Sequence, residues 1–336
     1  MKLKRAFYLG YYLKGLNREL FTHFLNYCQK NIGRSKAWIL TDILKSVFVY
    51  NISILEYFQF HFYNLQKKER ELWAGTGHMY EYQLKMNPIK TRKILDDKTQ
   101  FYKYYSDFLV HNVADIKDLT NKRVLTASIL ENPSGKLVFK AANGKCGGQV
   151  EVRNCKEFNR QNIINFMKTH NYGLVEEFIQ QHPAINRLSP SGVNTIRIIT
   201  QINQKGALNI LGCRLRISVN SLVDNMAAGN LAAPIDESTG RVNGPAVYSD
   251  ITKPDQYVHP VTKVKIVGFQ IPFWKETLQM VKKAALLHPQ NKSIGWDIVI
   301  TEKGPGLIEG NHDWCKLLWQ LPVKKGLKFT LSDINN

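Results

Sequence analysis

The clearest chemistry in this sequence sits on two short runs. Gly295-Trp296-Asp297 opens an apolar stretch through Ile300, and Gly306-Leu307-Ile308-Glu309-Gly310-Asn311 follows a Lys303-Gly304-Pro305 turn. A hairpin over that turn brings Asp297 and Glu309 face to face. Glu309 and Asn311 are two apart, so on a strand they share a side. Two carboxylates and an amide carbonyl are hard oxygen donors, suited to Mg²⁺ bridging nucleotide phosphates. The neighbours Ile298, Ile300, Leu307 and Ile308 are apolar, so the acids are partly buried and need a positive partner. A charged hairpin rim is the alternative.

Two further runs have a chemical reading. Leu137-Val138-Phe139-Lys140 reads as a strand ending in a lysine, and Gly144, Gly147 and Gly148 follow at once. Glycines let backbone N–H groups approach phosphate oxygens, and an ammonium neutralises them. The spacing is neither a Walker A loop nor a dinucleotide fingerprint, and a Gly- and Asn-rich hairpin turn explains it equally well. Leu174-Val175-Glu176-Glu177-Phe178-Ile179 reads as a strand running into a loop. Its backbone can hold an adenine between aliphatic walls, or it can be a plain strand end with solvated acids.

The elements that must position these residues follow from the pattern. Residues 1–90 read as helical, with Leu40, Ile43, Leu44, Val47, Phe48 and Leu55 as one buried face. A helix is expected from Asp97-Lys98 to His111, capped by Asp96 or Asp97. Short strands are expected at Arg123–Leu130, Leu137–Ala141, Gln149–Val152 and Tyr172–Ile179, with a helix at Lys156–Thr169. Longer strands follow at Val193–Ile202 and Leu208–Val219, joined by a turn at Asn203–Gly206. A helix over Pro272–Leu287 leads to the last two strands, Ser293–Thr301 and Gly306–Gly310. The class is α+β. The expected division is a helical N-terminal region (1–90), a catalytic core (91–325) and a tail (326–336).

Composition bounds the partners. The 336 residues are 44% apolar and 11% aromatic, enough for a packed core. The net charge of +19 favours polyanions without choosing among nucleotides, nucleic acid, acidic glycans and an anionic membrane face. Through Arg70 there are 12 Lys and Arg against 4 Asp and Glu. A basic amphipathic segment can lie on a membrane surface, or it can be a helical subdomain packed on the main core. The five cysteines, Cys28, Cys146, Cys155, Cys213 and Cys315, form no C-x-x-C pair, which suits free thiols in a reducing cytoplasm. No signal peptide is expected. The most apolar early stretch, Ala37–Tyr63, is broken by Asp42, Lys45 and Glu56, too polar for the roughly 20 residues of a span.

Taken in order, Lys98, Lys140, the Glu176–Ile179 hinge and the Asp297, Glu309, Asn311 trio resemble an ATP-grasp enzyme. The runs Gln181-His182-Pro183, Val193-Asn194-Thr195-Ile196-Arg197, Gly295-Trp296-Asp297 and Ile308-Glu309-Gly310-Asn311 are similar to the sugar-transfer-associated ATP-grasp family, over about residues 75–320. The resemblance implies two α+β subdomains clasping ATP after the helical region. It implies that Lys98 and Lys140 contact ATP phosphates, that the loop of Gly144, Gly147 and Gly148 closes over them, and that Glu176, Glu177, Phe178 and Ile179 hold the adenine. It implies Mg²⁺ on Asp297, Glu309 and Asn311. Arg197, Arg214 and Arg216 stand on strands facing the implied cleft, as candidates to steady a transferred phosphoryl group; a guanidinium is a fixed fork of donors. Two positions depart from the pattern of many ATP-grasp ligases. Gly295 stands where many members carry an arginine, and Gln180-Gln181-His182-Pro183 stands where a ribose-binding acid is usual, with His182 or Asn186 as the substitute.

The activity so implied is a carboxylate–amine ligase working through an acyl-phosphate in polysaccharide or capsule biosynthesis. The partners would be an acidic sugar carboxylate, such as a uronic acid, and an amine, such as an amino acid. A sugar phosphotransferase and a non-enzymatic polyanion- or membrane-binding protein are the rivals. No nucleic-acid module is evident, and no Ser-His-Asp or Cys-His signature argues for a nucleophilic side chain. The expected place is the cytoplasm, with peripheral contact to the inner membrane through the basic N-terminal region as the open alternative.

Overall fold

A computed structural model describes residues 2–141 and 150–331. The chain begins with helices Lys2–Lys14, Arg18–Ile32, Lys36–Tyr50 and Ile54–Gln59. Their limits follow local rules. Asn17 and Ser35 accept from Leu20 and Trp38 amides as N-caps, while Gly33 and Asn51 end helices in the left-handed region. Phe24, Ile39, Ile43, Val47, Tyr57, Phe58 and Phe62 form the interior of this region. The same cluster takes in Met226, Ala232, Val247, Leu318 and Leu321, so the helices pack on the rest of the molecule. Buried Glu56 accepts from Thr76 and pairs with Lys316 at 2.9 Å.

The stripe expected on Lys36–Tyr50 is corrected. Ile43 and Val47 are buried, but Leu40 and Leu44 are 45% and 48% exposed. The inward row is Ile39, Ile43, Ser46 and Val47. This helix is apolar nearly all round, so three- and four-residue spacing fits more than one stripe.

The first sheet is antiparallel, in the order β1-β4-β2-β3: β1 Val113–Ala114, β2 Lys136–Lys140, β3 Val150–Asn154 and β4 Leu174–Glu177. Leu137, Phe139 and Val175 turn inward against Ile129, Ile163 and Met167 of the covering helices. Arg123–Leu130 belongs to those helices and is not a strand. Its β-branched residues favour a strand by propensity, but burial of Thr126 and Ile129 at a spacing of three decides for a helix. The helix at Lys98 ends at Tyr104, short of His111. Asp97 is its cap, accepting from Thr99 N–H at 2.8 Å, while Asp96 is bound to His312 at 2.8 Å.

The second sheet is also antiparallel, in the order β7-β6-β5-β8-β9. Its strands are β5 Ile196–Ile202, β6 Leu208–Ile217, β7 Leu231–Ile235, β8 Ser293–Thr301 and β9 Gly304–Asn311. Ile196, Ile198, Cys213, Leu215, Trp296, Ile298 and Leu307 carry its interior face. Helix Trp274–Leu287 covers that face with Trp274, Val281, Ala284 and Ala285, and helix Lys98–Tyr104 adds Phe101. The opposite face carries the polar residues considered next. Among the described residues, no helix is long and apolar enough to cross a membrane.

Candidate functional site

The β8–β9 hairpin sets Asp297 opposite Glu309, as the turn between them predicts. Arg197 on β5 lies directly opposite Asp297, and Arg214 on β6 lies opposite Arg197. Cross-strand partners share a face, and so does Arg216, two residues on. A row of ionic groups therefore crosses four strands.

Asp297 is the centre of the row. Arg197 donates to it through Nε at 2.5 Å and Nη2 at 2.9 Å, and Arg216 donates through Nη1 at 2.8 Å. Glu309 faces it across the hairpin. Burial raises the Asp297 carboxyl, but the two guanidinium groups outweigh it and hold it well below the usual carboxylate range. Glu309 moves the opposite way: burial, then the charge of Asp297, pushes it up. Both N–H groups of the Asn311 amide are engaged, with Gly295 O at 3.4 Å and Glu309 Oε1 at 3.2 Å. What Asn311 can offer a ligand is its oxygen.

These residues fit a hard divalent cation. Glu309 is a carboxyl raised by a neighbouring negative charge, which a cation relieves, and the third donor is an amide oxygen. Among the described residues no group of three or more His, Cys, Asp or Glu could hold a metal ion, so the donors on offer here are two carboxylates and the Asn311 oxygen. The fit has one condition. A carboxylate offers about four acceptor positions, and Asp297 already carries three guanidinium N–H groups.

Arg214 does not join this cluster. Its Nε and Nη2 donate to Trp319 O at 3.0 and 2.5 Å, and Nη1 donates to Cys213 O at 2.8 Å. Burial pulls its guanidinium down to about 10. The group fastens the Lys316–Gln320 helix to the sheet. Gly295 has a different use. A Cβ there would stand 2.6 Å from Trp314 Cβ and 3.2 Å from Arg197 Cδ, so the glycine makes room first for Trp314 and then for Arg197, which lies across it.

A second ionic cluster lies on the first sheet. Lys140, at the end of β2, pairs with Oε1 of Glu176, and His111 Nε2 bonds Oε2 at 2.7 Å. Burial would raise Glu176, yet Lys140 and His111 pull it down to about 2. The Tyr102 hydroxyl lies within electrostatic reach of both Glu176 and Glu309; burial first, then both acids, push it well up. Tyr102 stands on the Lys98–Tyr104 helix, which packs against β9. This helix brings the two clusters together and carries Lys98 as its first residue.

At the end of β4 the amides of Glu177 and Phe178 donate to Asn112 O and Lys136 O, at 3.0 and 3.1 Å. Ile179 is the first residue beyond that pairing. The Lys136 ammonium lies over the Phe178 ring, 5.4 Å from its centre. His182 caps the Pro183–Leu188 helix, accepting from Ala184 N–H at 3.1 Å, and its own amide bonds Ile300 O at 2.8 Å. It thereby ties the hinge to β8, while Asn186 is exposed. Gly144, Gly147 and Gly148 lie outside the described residues.

Three contributors have no signal in the sequence. Tyr102 reads as a core aromatic, His111 as a lone histidine and Asp224 as a loop acid. Asp224 is buried and bonds Arg216 Nη2 at 2.7 Å.

Two antiparallel sheets, each backed by helices and each bringing charged groups to a common helix, define an ATP-grasp architecture. The chain belongs to the sugar-transfer-associated ATP-grasp family, whose sequence profile matches residues 78–336. No functionally curated protein matches it in sequence. Among solved structures, it is similar to the biotin carboxylase domain of Hydrogenobacter thermophilus 2-oxoglutarate carboxylase, in complex with MgADP, ADP and bicarbonate. That likeness is 13% identical over 75% of this chain and 52% of the other, with a TM-score of 0.41. An L-amino acid ligase from Bacillus licheniformis is 13% identical over 72% and 50%, TM-score 0.39. The D-cycloserine synthetase DcsG is 8% identical over 74% of each chain, TM-score 0.42. The chain spans about half the length of the first two. These likenesses are distant, and no residue assignment follows from them.

Proposed function

We propose that this protein is an ATP-dependent ligase that activates a carboxylate and joins it to an amine. The observation that carries the reading is the pairing of Asp297 with Glu309 across the β8–β9 hairpin, with Asn311 beside them and Arg197 and Arg216 on the same face. In this reading the acceptor carboxylate attacks the γ-phosphorus, the bond to the β-phosphate oxygen breaks, and ADP departs. The amine then attacks the acyl carbon, phosphate leaves, and the amine proton passes to solvent or phosphate. The chemistry needs positioning and charge neutralisation rather than a nucleophilic side chain.

Asp297, Glu309 and Asn311 would hold Mg²⁺, which would neutralise the nucleotide phosphates. Lys140, held by Glu176, would face the phosphates from the first sheet, with Lys98 at the helix start. In the hinge from Glu176 to Ile179, where the Glu177 and Phe178 amides are already bonded, Ile179 would present backbone to the adenine. Arg197 would serve as the cation that many ATP-grasp ligases carry at the place of Gly295, because it lies over the space that Gly295 leaves. The substrates we favour are a uronic acid or similar sugar acid and an amino acid, in the building of a cell-surface polysaccharide. Family membership and a net charge of +19 support an acidic glycan partner.

The test is a thermal shift with nucleotide and Mg²⁺ on the parent and on Glu309→Ala, followed by ADP release across panels of sugar acids and amines. The expected result is a Mg²⁺-dependent nucleotide shift in the parent that Glu309→Ala loses, and ADP release that needs both substrates. A parent that forms neither ADP nor phosphate with any carboxylate sinks the reading. A phosphorylated product made without an amine transfers it to a phosphotransferase.

A further inference from the structure

Asp224 is a buried acid with nothing in its sequence context to announce it. It sits just after the irregular stretch that follows β6, ahead of the short turn Met226–Ala228. Its Oδ2 accepts from both Thr195 N–H at 2.8 Å and Thr195 Oγ1–H at 2.5 Å, which fixes the carboxylate to the start of β5. Its Oδ1 meets Arg216 Nη2 at 2.7 Å. Arg216 is thus held between two carboxylates, Asp224 on one side and Asp297 on the other.

The two arginines on Asp297 are not equivalent. Arg197 reaches it from the directly opposed position with two donors, and Arg216 with one. Anything positive that engages Asp297 competes with the three guanidinium N–H groups already on its two oxygens. The single bond from Arg216 is the one more readily given up. Arg216 cannot then drift, because Asp224 keeps Nη2. Its Nη1 is left for an anion entering the same face. We propose that Asp224 is a positioning residue that keeps Arg216 aimed at the transferred phosphoryl group when Asp297 turns to a cation. This rests on the ligase reading above. A role confined to tying the loop to Thr195 would leave the Arg216 contact without consequence.

The experiment uses the full chain with MgADP, alone and with aluminium fluoride as a stand-in for the phosphoryl group. The parent is expected to show a thermal shift with MgADP and a further increment with aluminium fluoride. Asp224→Asn should keep the MgADP shift and lose the increment. Its kcat for ADP release should fall about tenfold to a hundredfold, with KM for ATP within about threefold of the parent. Adding Arg216→Lys to Asp224→Asn should cost little more, because residues acting as one unit are not additive. Thr195→Val, which loosens Asp224 without touching it, should move the same readouts less, and it carries the test should Asp224→Asn fail to fold. No increment in the parent, an unchanged one in the variants, or losses that multiply in the double variant overturn the proposal while nucleotide binding stands. A parent with no MgADP shift overturns the ligase reading itself, and this inference with it.

Discussion

Glu176 shows how a single side chain can hold a charge that burial opposes. Lys140 and His111 bond its two oxygens, and together they bring it down to about 2 against an ordinary value of 4.5. A lowered carboxylate stabilises the fold fully above its unfolded value, and that contribution drains away as pH falls towards the folded one. The window is therefore about pH 4.5 down to about 2, and the stake is about 3 kcal/mol. Urea unfolding of Glu176→Gln and the parent across this range is expected to show a steeper acid loss in the parent. Parallel curves would remove Glu176 from the acid response. The hinge motif was legible as a strand running into a loop with two acids. That the first acid is buried and ion-paired was not, since its partner His111 is 65 positions away.

At the scale of elements, spacing alone located the β8–β9 hairpin well. A tight turn leaves little freedom of register, and the apolar residues flanking the acids mark strands buried by their neighbours. The same kind of evidence failed on helix Lys36–Tyr50. Too many of its positions are apolar for periodicity to choose a side. The corrected face makes a sharp prediction. Ile43→Ala should cost about 2–5 kcal/mol, and Leu44→Ala should stay within about 0.5 kcal/mol, by chemical denaturation. Equal costs for the two would restore the broader stripe. Arg123–Leu130 failed for a related reason: eight residues with β-branched members are ambiguous until something packs on one side.

Across the whole molecule, the basic helical region is joined to the two-sheet body by shared apolar packing and by one buried ion pair, Glu56–Lys316. Glu56 is held below its usual value because Lys316 and the amides of Ser53 and Thr76 outweigh its burial. Lys316→Met leaves that carboxylate buried with its cation gone. The expected cost is about 3 kcal/mol or more, read as a lower calorimetric midpoint, and Glu56→Gln in the same chain should recover part of it. A midpoint unchanged by Lys316→Met would make the pair dispensable. What the sequence by itself determined was the set of local facts: the order of the chemical motifs, the hairpin that pairs Asp297 with Glu309, the α+β class and the family. The hairpin and the class depend on residues within a turn or a strand of one another, where spacing sets geometry, and the order of the motifs is read along the chain itself. Only the tertiary structure decided which arginines serve the acids. Arg197, Arg214 and Arg216 are alike by spacing, yet Arg214 is spent on the carbonyl of Trp319 while the other two close on Asp297. A long side chain bonds whatever acceptor the fold brings within reach, and that acceptor lies about a hundred positions away in two of the three cases.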